Sequence, residues 1–228
     1  MPAPDYAAEY ASGRSRIRSL LATCSLADAA TIVPACPDWT VRDTCAHLAG
    51  VSRALVERDN PGSDVQAWVD DHVRVRAERS VAQILDEWDE VGPGFEAIMR
   101  KVPRAFGGLI YDVIAHEHDI RGALVQPGAR DSDGVWASLE ILIATISTHL
   151  VRLGPVPGSL HLRADDREWF VGAGAPTASL STTPWELMRV LGSRRSRVQF
   201  LAAGWTGDVE PFLPAIAHLP LPLTDICE

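Results

Sequence analysis

The chain has 228 residues, 46% of them hydrophobic and 22% charged, which are the proportions of an ordinary globular protein with enough apolar material for a sizeable core. A net charge of −9 disfavours nucleic acid and anionic membrane as partners, and no transmembrane run or signal-type N-terminus is expected, so the reading is a cytoplasmic protein. Its four cysteines (Cys24, Cys36, Cys45 and Cys227) contain no Cys-x-x-Cys pair, are too sparse for a disulfide framework, and read as reduced, mostly buried thiols.

In chain order, apolar residues at helical spacing predict a first helix over about Tyr6 to Leu26, with Ile17, Leu20, Leu21 and Cys24 on one stripe. Thr40 is an expected N-cap for a second helix, with Asp43 completing a variant capping box, and Asn60-Pro61-Gly62 stops it near Asp59. A third helix spans roughly Ser80 to Met99, a fourth Gly107 to Leu124, and a fifth Asp133 to Val151. Helices apolar on one face and joined by short or moderate connections imply an antiparallel bundle.

The texture changes at Gly154-Pro155-Val156-Pro157-Gly158. Ser159 to Ala164 alternates as a strand should, Glu168 to Val171 and Ala178 to Ser181 are short strand candidates, and Thr183-Pro184 opens a helix through Leu191. The expected class is α+β, with a helical bundle over 1–154 and a small α+β domain over 155–228.

The densest chemistry lies in Tyr111 to Leu124. Residues four apart on a helix lie about 40° apart around the axis and roughly 6 Å along it, so Asp112 and His116 share a face and can grip one cation. His118 points elsewhere. Histidine and carboxylate suit zinc and similar divalent ions, and His47 on the second helix is available as a third ligand. The same residues also fit blander roles, since a lone helical His is commonly a packed core residue. Asp-x-x-x-His also describes an ordinary hydrogen-bonded pair. Asp119 stands one turn from His116 and can orient its free ring nitrogen or pair with Arg121. Glu117 and Arg121 read as a surface ion pair. His72, His149, His161 and His218 read as structural or surface residues, and the seven scattered tryptophans as core packing. No zincin motif, nucleophile elbow, phosphate loop or dinucleotide fingerprint is present.

The stretch Pro37-Asp38-Trp39-Thr40-Val41-Arg42-Asp43-Thr44-Cys45-Ala46-His47-Leu48 resembles the N-terminal signature of the mycothiol-dependent maleylpyruvate isomerase family, of the DinB-like superfamily of four-helix metalloproteins. Asp112 to Arg121 resembles its second metal motif, and Trp185 to Arg197 with Trp205-Thr206-Gly207-Asp208 resembles its C-terminal domain. The resemblance implies a metal triad on His47, Asp112 and His116, with divalent metal (zinc foremost) and mycothiol as thiol cosubstrate. The family's isomerase has Glu at the acid position, whereas Asp112 is one methylene shorter, which bears on the substrate.

An enzyme of this kind activates the thiol for attack on a small electrophile, giving cis–trans isomerisation or S-transfer. Arg194 or Arg195 would hold a substrate carboxylate, with Arg194 the residue assigned, although the same basic cluster also reads as a solvated helix end. A monomer or homodimer is expected. The alternatives are a metal-dependent hydrolase using activated water and a non-enzymatic metal- or small-molecule-binding module.

Overall fold

A computed structural model describes residues 5–102, 106–217 and 219–228. The chain forms two compact units, Met1–Gly128 with Glu228, and Ala129–Cys227. Helices and small sheets make the class α+β. His218 lies outside the described residues.

The first unit opens with α1 (Tyr6–Leu20), capped by Asp5, whose carboxylate accepts from the Ala8 N–H at 3.1 Å. After α2 (Leu26–Ala29) the chain makes a two-stranded antiparallel ribbon, β1 (Ile32–Val33) with β2 (Cys36–Thr40). Thr40 ends β2 and begins α3 (Val41–Glu57) through the expected capping box. The Asp43 N–H donates to Thr40 Oγ1 at 3.2 Å, and the Thr40 N–H donates to Asp43 Oδ2 at 3.0 Å. Next come α4 (Val65–Arg74), which lies in a stretch where no element was expected, then α5 (Val81–Lys101), capped by Ser80, and α6 (Gly107–Ala123).

Helix α3 packs on α4, α5 and α6, and α1 packs on α5 and α6. A buried polar knot ties three of these together. Tyr10 on α1 and Ser52 on α3 share a hydrogen bond of 2.7 Å, and Trp88 Nε1 on α5 donates to both hydroxyl oxygens at 3.1 and 3.0 Å. All three side chains are buried, so each hydrogen bond avoids the penalty of an unsatisfied interior polar group. Where α3 meets α4, Gly50 permits the approach, because a Cβ there would stand 2.5 Å from His72 Cβ.

Helix α6 departs from the one-sided amphipathic pattern. From Val113 to Ile120 every residue is buried, so the helix is covered all round. Buried charge demands partners. Glu117, expected in a surface pair, has a fully buried side chain clasped by Arg16 (Nε to Oε1 3.0 Å, Nη2 to Oε2 2.8 Å) and by Arg121 (Nε to Oε1 3.1 Å). The pairing with Arg121 exists, but it is an interior clamp rather than a surface one.

The second unit contains α7 (Asp133–Leu153), β3 (Ser159–Ala164), β4 (Arg167–Gly172), β5 (Pro176–Thr182), α8 (Pro184–Leu191), α9 (Arg197–Leu201), β6 (Thr206–Gly207), a 3-10 turn (Glu210–Phe212) and α10 (Leu213–Ile216). The sheet order is β4-β3-β5-β6, with β3 and β5 parallel and the other pairs antiparallel. Leu160, Leu162 and Ala164 alternate into the core as the sequence pattern requires.

The sequence-based boundary at residue 154 grouped α7 with the bundle, but its packing groups it with the sheet. Leu139, Leu142, Ile146 and Leu150 are buried, and α7 lies against α8, α10 and β4. Arg167 of β4 stacks its guanidinium 4.0 Å from the Trp136 ring of α7. This helix is also long and apolar enough to cross a membrane, a run the sequence reading passed over; half of that apolar window is buried inside the protein.

Candidate metal centre

His47 lies two turns into α3, and Asp112 and His116 lie one turn apart on α6. The contact between these helices brings the three together. His47 Nε2 is 3.2 Å from Asp112 Oδ2 and 3.5 Å from Oδ1, and His116 Nε2 is 3.4 Å from Oδ1. The imidazoles meet edge to face with centroids 5.3 Å apart. One ligand atom from each residue lies within 4.8 Å of the other two.

The Asp112 side chain is 27% exposed, while both histidines are buried, so Asp112 is the most exposed of the three. Burial pushes the Asp112 carboxyl upward, but the charge on His47 and hydrogen bonds from His116 and His47 outweigh it and hold the group well below the usual carboxylate range. His116 is shifted the other way. Burial disfavours its cation, yet its neighbours Asp112, Asp119 and Cys36 raise it well above an ordinary histidine.

Two ligands on a tetrahedral zinc-sized ion with bonds of about 2.0–2.1 Å stand about 3.4 Å apart. Asp112 Oδ1 stands 3.5 Å from His47 Nε2 and 3.4 Å from His116 Nε2, close to that edge, so the donor set fits a divalent cation.

The surroundings refine the set. His116 Nδ1 is 3.0 Å from Asp119 Oδ2, the orienting role expected for Asp119, which turns Nε2 toward Asp112. His47 Nδ1 has no acid at ion-pair distance, and neither it nor His116 Nδ1 has a partner in hydrogen-bonding geometry among the described residues. Two neighbours escaped the sequence reading. Trp39 is no scattered core residue, because its ring lies 5.0 Å from His47 and 6.0 Å from His116 and walls the group. Cys36, read as a bland thiol, forms a second close group with His116 and Asp119. The available signal was their place on the strand leading into α3, Trp39 inside the Pro37–Leu48 motif that carries His47 and Cys36 just before it. His118 is buried on α6 and belongs to neither group.

Residues 10–121 match the mycothiol maleylpyruvate isomerase N-terminal domain. The N-terminal unit belongs to this family. The match spans every residue of the His47–Asp112–His116 group and both neighbours, Cys36 and Trp39. Searches of curated proteins and of solved structures find nothing similar to the chain.

The remaining expected site residue, Arg194, belongs to the second unit, just after α8. The cluster around it is buried, not a solvated helix end: Arg189, Arg194 and Arg195 are all in the interior. Arg194 Nη1 reaches the Gly192 carbonyl at 3.4 Å. Arg195 is committed to Glu186 through bonds of 2.8 and 2.6 Å. The Trp185 ring has the guanidinium carbons of Arg130 and Arg195 at 3.9 and 5.3 Å.

Proposed function

We propose that the N-terminal unit is the core of a metal-dependent enzyme that uses a low-molecular-weight thiol, mycothiol, against a small electrophile, as an isomerase or S-transferase. The observation that carries this reading is the pair of separations from Asp112 Oδ1, 3.5 Å to His47 Nε2 and 3.4 Å to His116 Nε2, inside a domain of the mycothiol family. The packing of α1, α3, α5 and α6 supports reading the unit as a DinB-like antiparallel four-helix bundle, with the ligands on the facing sides of α3 and α6.

His47 and His116 would hold zinc through Nε2, and Asp112 would supply the negative charge. Three protein ligands leave a coordination position open, and a cation there lowers the pKa of a bound thiol. The chain's own part is to orient and shield. Asp119 fixes the His116 ring, and Trp39 covers the two imidazoles with an apolar wall that keeps water from one side. Asp112 is the most exposed of the three ligands, so a thiol and its electrophile would approach on its side. Its short side chain leaves more room there than a glutamate would.

The test is turnover of a cis-configured conjugated keto acid or a model alkylating electrophile by zinc-loaded protein, with and without mycothiol. Conversion should need the thiol and should vanish in His47→Ala. Turnover at the same rate without thiol would contradict the reading.

A further inference from the structure

The His116 imidazole faces a second group of donors. Asp119 Oδ2 lies 3.0 Å from Nδ1, the ring edge opposite the Nε2 that meets Asp112. Cys36, on the strand before α3, stands beside the same ring. Ligand atoms of Cys36, His116 and Asp119 all lie within 4.8 Å of one another. This group offers sulfur, nitrogen and oxygen, where the first offers two nitrogens and oxygen. Asp119 is fully buried and Cys36 is half-buried, so a cation would enter past the thiol.

We infer that Cys36, His116 and Asp119 form a second cation pocket, selective for soft thiophilic ions and sharing only His116 with the site above. Thiolates favour soft ions, and this donor set is the softer of the two. A thiolate and an imidazole nitrogen on one tetrahedral ion stand about 3.6 Å apart, inside the 4.8 Å within which these ligand atoms already lie.

A neutral imidazole has one lone pair. With the proton on Nδ1, Nε2 can bind a cation held with Asp112 and His47. With the proton on Nε2, Nδ1 can bind a cation held with Asp119 and Cys36. The two pockets therefore compete for one histidine, and a soft ion at Cys36 takes His116 away from the first site. Binding converts the Cys36 thiol to thiolate and releases its proton to solvent. The consequence is a built-in sensitivity to thiophilic metals that does not require the first site to be filled.

The experiment titrates cadmium chloride into metal-free protein and follows the ultraviolet thiolate-to-cadmium charge-transfer absorption. A Cys227→Ser background removes the exposed thiol. A stoichiometric band is expected in that background and again with His47→Ala added, and it should disappear with Cys36→Ser. No band in the His47→Ala protein, or a band unchanged by Cys36→Ser, would overturn the inference. Circular dichroism reports folding. Should Cys36→Ser fold poorly, alkylation of Cys36 in the native protein, located by mass spectrometry, should abolish the band equally. Because the band is independent of His47 while zinc retention at the first site requires it, failure of one reading is distinguishable from failure of the other.

Discussion

Asp119→Asn isolates the support of the first site without removing a ligand from it. The carboxylate is fully buried, sits 3.0 Å from His116 Nδ1, and fixes the ring so that Nε2 stands 3.4 Å from Asp112. Asparagine keeps the size but loses the charge that strengthens the imidazole as a donor. Removing such an outer partner weakens metal binding by about 10–100-fold, or about 1.4–2.7 kcal/mol. An independent route gives a similar figure. Exchanging a charge-assisted hydrogen bond for a neutral one loses about 1–2 kcal/mol. The two ranges overlap near a 10–30-fold loss, about 1.4–2 kcal/mol. Competition against a chromophoric zinc chelator at neutral pH measures it, with His161→Ala on the sheet as a control. A folded Asp119→Asn protein whose zinc affinity stays within about threefold of wild type (about 0.7 kcal/mol) would refute the orienting role.

Two further predictions concern the frame that holds α3 in place. Gly50→Ala would put a Cβ 2.5 Å from His72 Cβ and 2.9 Å from Arg76 Nη1. The resulting overpacking, about 2–3 kcal/mol, exceeds the roughly 1 kcal/mol that alanine gains in a helix. A lower urea midpoint is expected, and an unchanged or raised midpoint would count against the close approach of α3 and α4.

Glu87 receives two hydrogen bonds from the buried Arg76, at 2.9 and 2.6 Å, and is also paired with Arg53 and Arg79. Burial raises its carboxyl, but the Arg76 and Arg53 hydrogen bonds outweigh it and hold the group below the usual range. A depressed carboxylate stabilises the fold fully above its unfolded pKa of about 4.3 and loses that contribution as pH falls through the folded value. Glu87→Gln should therefore lose about 3 kcal/mol at neutral pH, with the gap to wild type narrowing on acidification below about pH 4. A gap that stays constant across that range, read by denaturant melts at each pH, would contradict the pairing.

Local signals predicted local structure well. Thr40 with Asp43, Ser80, and Thr183 followed by Pro184 each start the helix that their chemistry requires. The alternation from Ser159 to Ala164 is a strand with the expected face buried. Helix α4 was missed because it carries little core, with His72 its one buried residue, so the apolar period was faint. β2 was missed because Cys36-Pro37-Asp38-Trp39-Thr40 does not alternate.

The larger differences are tertiary. Spacing shows which residues share a helix face but not how many faces are covered, so Glu117 was placed at the surface when α6 is enclosed on all sides. For the same reason α7, apolar on one side, gave no sign of whether helices or a sheet would cover it. At the site, the one-turn pair Asp112 and His116 was legible from geometry, and His47 was nominated by motif. Cys36 and Trp39 reach His116 only because the ribbon before α3 folds back toward α6, which no periodicity encodes.

The most direct test is elemental analysis of protein purified without chelator, comparing wild type, His47→Ala, His116→Ala and the control His161→Ala. Stoichiometric divalent metal is expected in wild type and control and should be lost from both site variants, each shown to be folded. Metal retained at full stoichiometry in both His47→Ala and His116→Ala would contradict the assignment of the centre.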